Sequence, residues 1–349
     1  MLFSCVKIKL VVCYGQHEEH FLSHLSLPVR GFRGGCAARA PLSSAKAVAG
    51  AKPAYTYPDQ KVAKELVEDL YNNWRVSMQH SDVSAWENVI STSRRMRIRN
   101  AIVSEKGNFP RDFFRNQPSP PALENFSYVG SLAGANGYTL AATYVGMLQM
   151  GNGKAEENAY VLQFINEKGT WTFDQANFFN LSKLPEVKKR LHERDLTVLQ
   201  EQEGFRPYET MPAAPAACRT PELIGKVFVD APGRDIEMRI NGVSAHHFSD
   251  ERRADIISGG LKRGQNTISY TIRTDDGKPH PAMAIGLFVM PETKGNHPVC
   301  VFDHILDEAD AAKGGSFTFT IDNTTIGSMN PNFRGEAPQP FHAVPLKKK

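Results

Sequence analysis

The chain has 349 residues, which exceeds the usual size of one domain and favours two folded units. Its hydrophobic fraction of 41% and charged fraction of 22% are close to the average for globular proteins, which excludes wholesale disorder, a collagen-like repeat and a disulfide-rich miniprotein. No apolar run approaches the roughly 20 residues that a membrane-spanning helix requires, so we expect no membrane span.

The formal net charge of +4 is concentrated in the first 58 residues. Residues 1–58 carry seven basic and two acidic side chains, whereas residues 59–204 carry 17 and 18, and residues 220–349 carry 15 and 16. Neither large block has the excess positive charge that nucleic-acid binding requires, so we expect no nucleic-acid partner.

Residues 1–58 have the composition of a targeting leader or of an unfolded segment. No Asp or Glu occurs from His20 to Pro58, and the small-residue run 45–51 offers an A-x-A-like cleavage site. Together with the basic start at Lys7 and Lys9, this pattern favours export to the periplasm, the cell envelope or the medium, although the apolar stretch 10–14 is shorter than that of a normal signal peptide. The acid-poor composition with Arg and Ser also suits mitochondrial import. A disordered extension is the third interpretation.

The first folded block, residues 59–204, begins with a helical pattern. Its apolar residues recur every four positions, at Val62, Leu66, Leu70, Trp74 and Met78. Asp59 is placed to cap this helix, and Asp82 starts a second helix that buries Trp86. A third predicted helix, 93–104, carries Arg94, Arg95, Arg97 and Arg99. Helical geometry spreads these arginines around the axis, so we interpret them as a solvated, salt-bridged surface rather than a phosphate site.

After a proline-rich break the apolar period changes to two, which predicts strands. The predicted strands are 123–131, 138–150, 158–165 and 170–181. Asn136-Gly137, between the first two, is typical of a tight hairpin turn. We expect a four-stranded antiparallel meander, followed by a charged helical stretch over 185–203.

This order of three helices and a meander resembles the nuclear transport factor 2-like (SnoaL-like) α+β cone over about residues 59–182. The resemblance rests on element order, on the helix start Asp82–Trp86 and on the hairpin that contains Gly169–Asp174. It implies a pocket for a small hydrophobic ligand between the curved sheet and its helices, or a surface for a protein partner. The family includes isomerases, cyclases and dehydratases alongside non-enzymatic binding modules, and fold likeness does not choose among them.

The resemblance also implies a homodimer, because such cones often associate through the outer face of the sheet. Strand alternation places Val145, Val161 and Thr172 on that face, and we expect them to be exposed. Asp174 falls on the same outer face, away from the predicted pocket.

Strand alternation also proposes which side chains face the pocket. If a four-residue turn follows Ile165, Tyr160 lies opposite Gln175, and Tyr144 joins them from the neighbouring strand. Tyr144, Tyr160 and Gln175 are then predicted ligand-binding groups among apolar walls, with an ordinary core as the alternative.

His80 is the remaining candidate in this block. It stands beside Asp82, and the two form either an acid–base pair that contacts a ligand or a helix-end histidine next to a capping aspartate. The sequence leaves both interpretations open.

The second folded block follows a linker, residues 205–223, that is rich in Pro and Ala. Between 224 and 327, short alternating segments separated by turn sequences predict an antiparallel β-sandwich, with 328–349 as a tail. Glu237–Val243 and Leu261–Ile268 resemble strand-turn phrases of immunoglobulin-like and carbohydrate-binding-like sandwiches. That resemblance implies a glycan as an alternative partner.

His246 and His247 fall in the predicted connection before Leu261, which suits either a ligand-binding loop that contacts a sugar or a plain surface loop. Adjacent residues of an extended chain point to opposite sides, so the two histidines are not expected to chelate one metal. Cys218 and Cys300, the cysteines outside the leader, are either bridged or free.

The predicted fold class is therefore α+β: an N-terminal cone of three helices on a curved antiparallel sheet, and a C-terminal antiparallel β-sandwich. No phosphate loop, dinucleotide fingerprint, nucleophile elbow or zinc motif occurs, so we predict no cofactor, no metal and no catalytic residue. We expect a non-catalytic, exported protein that binds a ligand or a protein partner. The alternatives are a SnoaL-like isomerase, cyclase or dehydratase using the cone pocket, and glycan binding through the sandwich.

Overall fold

The computed structural model describes residues 55–115, 117, 119–149, 154–274, 281–306, 314–336 and 338–343. Most of the predicted leader, the turn sequences at 151–153 and 275–277, and the end of the predicted tail lie outside these residues. Within them the chain is mixed α+β, with most helices in the N-terminal half and three β-sheets. No helix in the described part is both long and apolar enough to cross a membrane.

The first three of the four N-terminal helices begin at side chains that cap their free backbone N–H groups. They are α1 (Gln60–His80), α2 (Val83–Val89), α3 (Thr92–Ser104) and α4 (Arg111–Arg115). Asp59, Asp82 and Ser91 each accept hydrogen bonds from N–H groups two or three residues ahead. The predicted starts at Asp59 and Asp82 are confirmed, and the third helix lies within one residue of its predicted bounds.

The first sheet contains the predicted meander. Its strands are β1 (Tyr55–Thr56), β2 (Ser127–Gly134), β3 (Thr139–Leu148), β4 (Glu156–Glu167) and β5 (Thr170–Asn180). They are antiparallel and lie in the order β1-β2-β3-β4-β5. β1 belongs to the predicted leader and extends the sheet by pairing with the end of β2.

The hairpin between β4 and β5 departs from the predicted register. Its loop has two residues, Lys168 and Gly169, whose φ angles of 55° and 91° are those of a tight hairpin turn. A β-bulge then shifts the pairing, because Asp174 of β5 is an extra residue between the Gln163–Gln175 and Phe164–Phe173 pairs. Tyr160 consequently lies opposite Phe178, so the predicted pairing of Tyr160 with Gln175 is wrong.

Both faces of this sheet are covered. The inner face packs an aromatic core against α1 and α2, and its largest buried side chains are Tyr71, Trp86, Tyr144, Tyr160, Phe164 and Phe173. The outer face packs against α5 (Pro185–His192), α6 (Thr197–Glu201) and a short 3-10 turn. Val161 and Thr172 are buried, so the prediction that they are exposed is wrong. The amphipathic segment after β5 folds back over Val161, on the face implied for a homodimer.

The second block contains the other two sheets. Its elements are β6 (Gly225–Asp230), β7 (Arg234–Ile240), β8 (Ser244–Ser249), β9 (Arg252–Ile256), β10 (Gly264–Thr274), β11 (Met283–Val289), β12 (Val299–Leu306), β13 (Gly314–Ile321), α7 (Asn323–Gly327) and β14 (Phe341–His342). One sheet has the order β13-β10-β7-β8, and the other has the order β14-β12-β11-β6-β9. All pairs are antiparallel except β12 with β14.

These two sheets bury their inner faces in one hydrophobic core. Ile236, Phe248 and Ile268 reach it from the first sheet, and Val227, Ile285 and Phe302 reach it from the second. Alternate residues of each strand point inward, as two packed sheets require. The arrangement is compatible with the predicted β-sandwich.

Candidate ligand-binding cleft

The two tyrosines predicted to face a cone pocket lie inside the aromatic core. Tyr144 and Tyr160 are each 1% exposed. The Tyr160 hydroxyl lies 2.9 Å from that of Tyr71, and its ring stacks on Phe178 with 4.2 Å between centroids. Burial raises the pKa of Tyr144 and of Tyr160, so both hydroxyls stay neutral. Gln175 is half-buried in β5. A ligand-binding role for these residues stays a prediction, and their surroundings are those of core residues.

His80 and Asp82 lie on the surface. His80 is the exposed last residue of α1. The exposed Asp82 carboxylate caps α2 by accepting a hydrogen bond from the Ala85 N–H at 3.0 Å. The pair therefore has the geometry of a helix junction, and its role in acid–base chemistry or ligand contact also stays a prediction.

A buried carboxylate anchors the start of α3. Asp174 is fully buried and accepts hydrogen bonds from the hydroxyls of Ser91, of Ser93 at 3.1 Å and of Tyr208 at 2.7 Å. Burial and the Asp174 charge raise the pKa of Tyr208, which keeps its hydroxyl a donor. The cluster ties α3 and the start of the linker to β5. Strand alternation placed Asp174 on the outer face but gave no sign that other segments cover it.

One face of α3 holds the linker and the second block. Asn100 and Ser104 are four residues apart and lie on the same side of the helix. The Asn100 amide donates to the Ala216 carbonyl at 2.8 Å and accepts from the Cys218 N–H at 3.0 Å. The Ser104 hydroxyl accepts from the Gly259 N–H at 2.8 Å. These bonds fix the predicted linker against the helix.

Two ion pairs cross the same junction. Glu105 lies 3.4 Å from Lys226, and Lys106 lies 2.6 Å from Glu292. Both pairs are partly exposed, so each contributes only about 0–1 kcal/mol. Their main effect is to orient the second block against the end of α3.

A cleft of about 780 Å³ opens beside this junction. Its walls come from α3 and the turns after it, from residues 213–216 of the linker, and from strands β6 to β9. The lining includes Arg97, Asn100, Ala101, Ile102, Glu105, Lys226, Arg239, Val243, Ala245, His246 and Asp255. This volume is within the range of small-molecule sites, and nine of the twenty lining residues are polar or charged.

Most charged groups of the cleft are already paired. Glu105 faces Lys226, and Asp255 accepts two hydrogen bonds from Arg253, at 2.9 and 3.0 Å. Burial acts to raise the pKa of Asp255, but His246 and Arg253 outweigh it and hold that pKa below its ordinary value. Asp255 is therefore charged at neutral pH and is committed to its neighbours.

Two arginines differ from these paired groups. Arg97, on α3, and Arg239, on β7, line the cleft and have no hydrogen bond or ion pair in the described part of the chain. The α3 arginines are spread around the axis as predicted, but their interpretation as a solvated, salt-bridged surface holds for Arg95 alone. Arg95 forms a surface ion pair, Arg99 donates to a linker carbonyl, and Arg97 faces the cleft.

The adjacent histidines lie in β8 rather than in the predicted connection, because this stretch pairs with β7. Their side chains point to opposite sides, as predicted: His246 is 6% exposed and His247 is 61% exposed. His246 Nε2 lies 2.7 Å from Ser244 Oγ, and its Nδ1 lies 3.4 Å from Asp255. Ser244 is 1% exposed and does not line the cleft, so this chain of groups supports the wall without presenting a nucleophile.

Cys218 and Cys300 are both free, so the disulfide alternative is wrong. Cys300 lines a smaller cavity of about 350 Å³ beside β13 and residues 338–341. Burial and the Asp303 charge raise the pKa of its thiol to about 12, so a thiolate does not form at neutral pH. No group of three or more His, Cys, Asp or Glu residues in the described ranges is arranged to hold a metal ion.

Comparison of the chain with profiles of protein families, with curated proteins and with solved structures finds no match. The likeness to nuclear transport factor 2-like cones therefore rests on the element order, on the helix start Asp82–Trp86 and on the β4–β5 hairpin.

Proposed function

We propose that this protein is a non-catalytic ligand-binding protein and that a small molecule binds in the cleft between α3, the linker and the second block. The observation that carries the proposal is a volume of about 780 Å³ whose walls are joined by the hydrogen bonds of Asn100 and Ser104. Walls that are fixed before binding reduce the ordering cost of binding, which favours affinity.

The polar groups of the cleft support binding rather than catalysis. A general acid or base has to reach the proton that it transfers. His246 and Asp255 are instead bonded to each other and to Ser244 and Arg253 within the wall. Glu105 is paired with a lysine in the same way.

We further propose that the first block is a nuclear transport factor 2-like cone and the second an immunoglobulin-like or carbohydrate-binding-like sandwich, in an exported protein. Three helices before a meander support the cone, and two sheets around one core support the sandwich. The composition of residues 1–58 supports export. Sequencing the mature N-terminus of the natural protein tests the export, and an intact leader would contradict it.

The neutral, apolar fluorophore N-phenylnaphthylamine tests the cleft as a binding site. Its fluorescence rises when it leaves water, so we expect a saturable increase with the native protein. Ala245→Trp places an indole in the cleft from β8 and should abolish that increase. Thr271→Trp is the matched control, because Thr271 is exposed on β10 of the same sheet and does not line the cleft. Equal dye binding by the native and Ala245→Trp proteins would overturn the proposed function.

A further inference from the structure

We infer that the ligand of this cleft is a small organic anion, with an apolar body and a carboxylate-like or phosphate-like group that Arg97 and Arg239 bind. The inference rests on the proposed function and names the class of ligand. Two observations carry it: some charged groups in the cleft have no partner, and apolar side chains line the surface between them.

The charge that is left over in the cleft is positive. Glu105 and Lys226 neutralise each other, and the Asp255 carboxylate is shared by Arg253 and His246. Asp112, the third carboxylate of the lining, is paired with Arg111 at 3.3 Å. The guanidinium groups of Arg97 and Arg239 line the same cleft without a hydrogen bond or ion pair to any described residue. A ligand that enters there meets two cations whose donors are free.

The positive charge of Arg97 also acts on Arg94, which lies three residues earlier on α3. Burial lowers the pKa of Arg94, whose charge faces Asp174 and Tyr208, and the positive charge of Arg97 lowers that pKa further. An anion bound at Arg97 would relieve this repulsion.

Guanidinium groups suit this role because of their shape. Each presents five N–H donors in a planar fork, which matches the two oxygens of a carboxylate or the oxygens of a phosphate. Arg97 projects from α3, whereas Arg239 projects from β7 of the second block. One oxyanion held by both would be bound by both blocks at once.

Apolar side chains form about half of the cleft lining. Ala101 and Ile102 of α3 face it, together with the linker alanines 213–214 and with Val243 and Ala245 of the second block. These side chains offer contact to a hydrocarbon or aromatic body and no hydrogen bonds. A simple inorganic anion would leave this surface unused, so the cleft favours an amphipathic acid.

Two fluorophores that differ by one anionic group test the inference. Anilinonaphthalene sulfonate carries the ring system of N-phenylnaphthylamine with an added sulfonate. With the native protein we expect the sulfonate to bind at least about tenfold more tightly than the neutral dye, since a charge-assisted hydrogen bond contributes that much. Arg97→Gln and Arg239→Gln should each weaken binding of the sulfonate about tenfold more than they weaken binding of the neutral dye.

Arg219→Gln is the matched control, because Arg219 is an exposed linker arginine that does not line the cleft. It removes the same charge and should change neither dissociation constant. Should either cleft variant fail to fold, a salt titration of the native protein replaces it. Raising the salt concentration should then lower the affinity for the sulfonate and leave the affinity for the neutral dye unchanged.

Failure of the inference is distinguishable from failure of the proposed function. One outcome is that Ala245→Trp abolishes binding of the neutral dye, while the sulfonate binds no more tightly than the neutral dye and its affinity does not depend on Arg97 or Arg239. In that case the cleft binds ligands, and the inference of an anionic ligand is wrong. If neither dye responds to Ala245→Trp, the proposed function is wrong, and the inference falls with it.

Discussion

The interior of the first block and the cleft beside α3 both contain polar side chains among apolar ones, and they treat these side chains differently. In the interior, the hydroxyls of Tyr71 and Tyr160 lie 2.9 Å apart, and their rings are packed by Phe173 and Phe178. The Tyr144 hydroxyl has no hydrogen bond to a described residue, but it is fully enclosed by the same core. In the cleft, the charge of Arg97 has no partner among the described residues, and a volume of about 780 Å³ lies in front of it.

The difference arises from how each region is closed. In the first block, one sheet and the helices that cover it enclose the interior on all sides. Aromatic rings from these elements pack against one another and fill that space. The cleft forms where three separate stretches of chain meet, and their shapes leave a gap. Tyrosines among phenylalanines are therefore weak evidence for a pocket, whereas an unpaired guanidinium in a concavity is stronger evidence for a ligand.

The largest expected effect is a loss of stability without a loss of dye binding. Phe173→Ala removes a ring that packs 4.3 Å from Trp74 between centroids in the aromatic core. We expect the free energy of unfolding to fall by about 3–5 kcal/mol, as for other buried aromatic deletions, with the dye affinity of the folded protein unchanged. Urea denaturation and dye titration measure the two quantities.

Val62→Ala is the control for that experiment, since Val62 is an exposed apolar residue on α1. It should change stability by less than about 0.5 kcal/mol. A loss of dye affinity in folded Phe173→Ala would show that the aromatic core and the cleft are coupled.

The next effect concerns the wall of the cleft. Asn100→Ala leaves the Ala216 carbonyl and the Cys218 N–H without their partner, at a cost of about 1–3 kcal/mol in the free energy of unfolding. Because the linker is then free to move, the affinity for N-phenylnaphthylamine should also fall. Asn158→Ala is a matched change of a buried asparagine in β4. It should destabilise the protein without affecting the dye, and equal dye affinity in both variants would contradict the role of Asn100.

The smallest effect depends on pH and involves Asp255. Its pKa is lower in the folded protein than the value of about 3.9 in an unfolded chain, so its charge stabilises the fold above that value. The stabilisation is lost as the pH falls through the folded pKa. We therefore expect the native protein to be more stable than Asp255→Asn by about 1 kcal/mol from pH 5 to pH 7, with the gap closing below about pH 4. Urea denaturation across this range measures the gap, and a constant gap down to the lowest pH would refute the assignment.

Local chemistry made part of the fold predictable. Asp59 and Asp82 cap their helices through N–H groups that lie within three residues, so the local sequence is enough to predict these caps. Asn136-Gly137 is likewise enough to predict the first hairpin. The second hairpin was harder, because a two-residue loop and a four-residue loop both suit the stretch around Gly169. A β-bulge leaves no mark in the residue pattern, and it removed Gln175 from the predicted row of side chains.

The cleft was not predictable, because its parts are distant in the sequence. Asn100 binds backbone groups 116 and 118 residues away, and Ser104 binds one 155 residues away. Arg97 was visible only as one of four arginines on a helix, and its lack of a partner is a property of the folded chain. The signal that was available was the spacing of Asn100 and Ser104, two polar residues on one side of a helix.

The hydrogen bonds that fix the linker to α3 have a consequence for modularity. Since Asn100 and Ser104 belong to the first block, while Arg239 and Ala245 belong to the second, neither block carries a complete cleft. A recombination event that transferred only one block to another protein would transfer a scaffold without the cleft. Natural variation that preserves the cleft has to preserve both blocks, the length of the linker and the angle at which they meet.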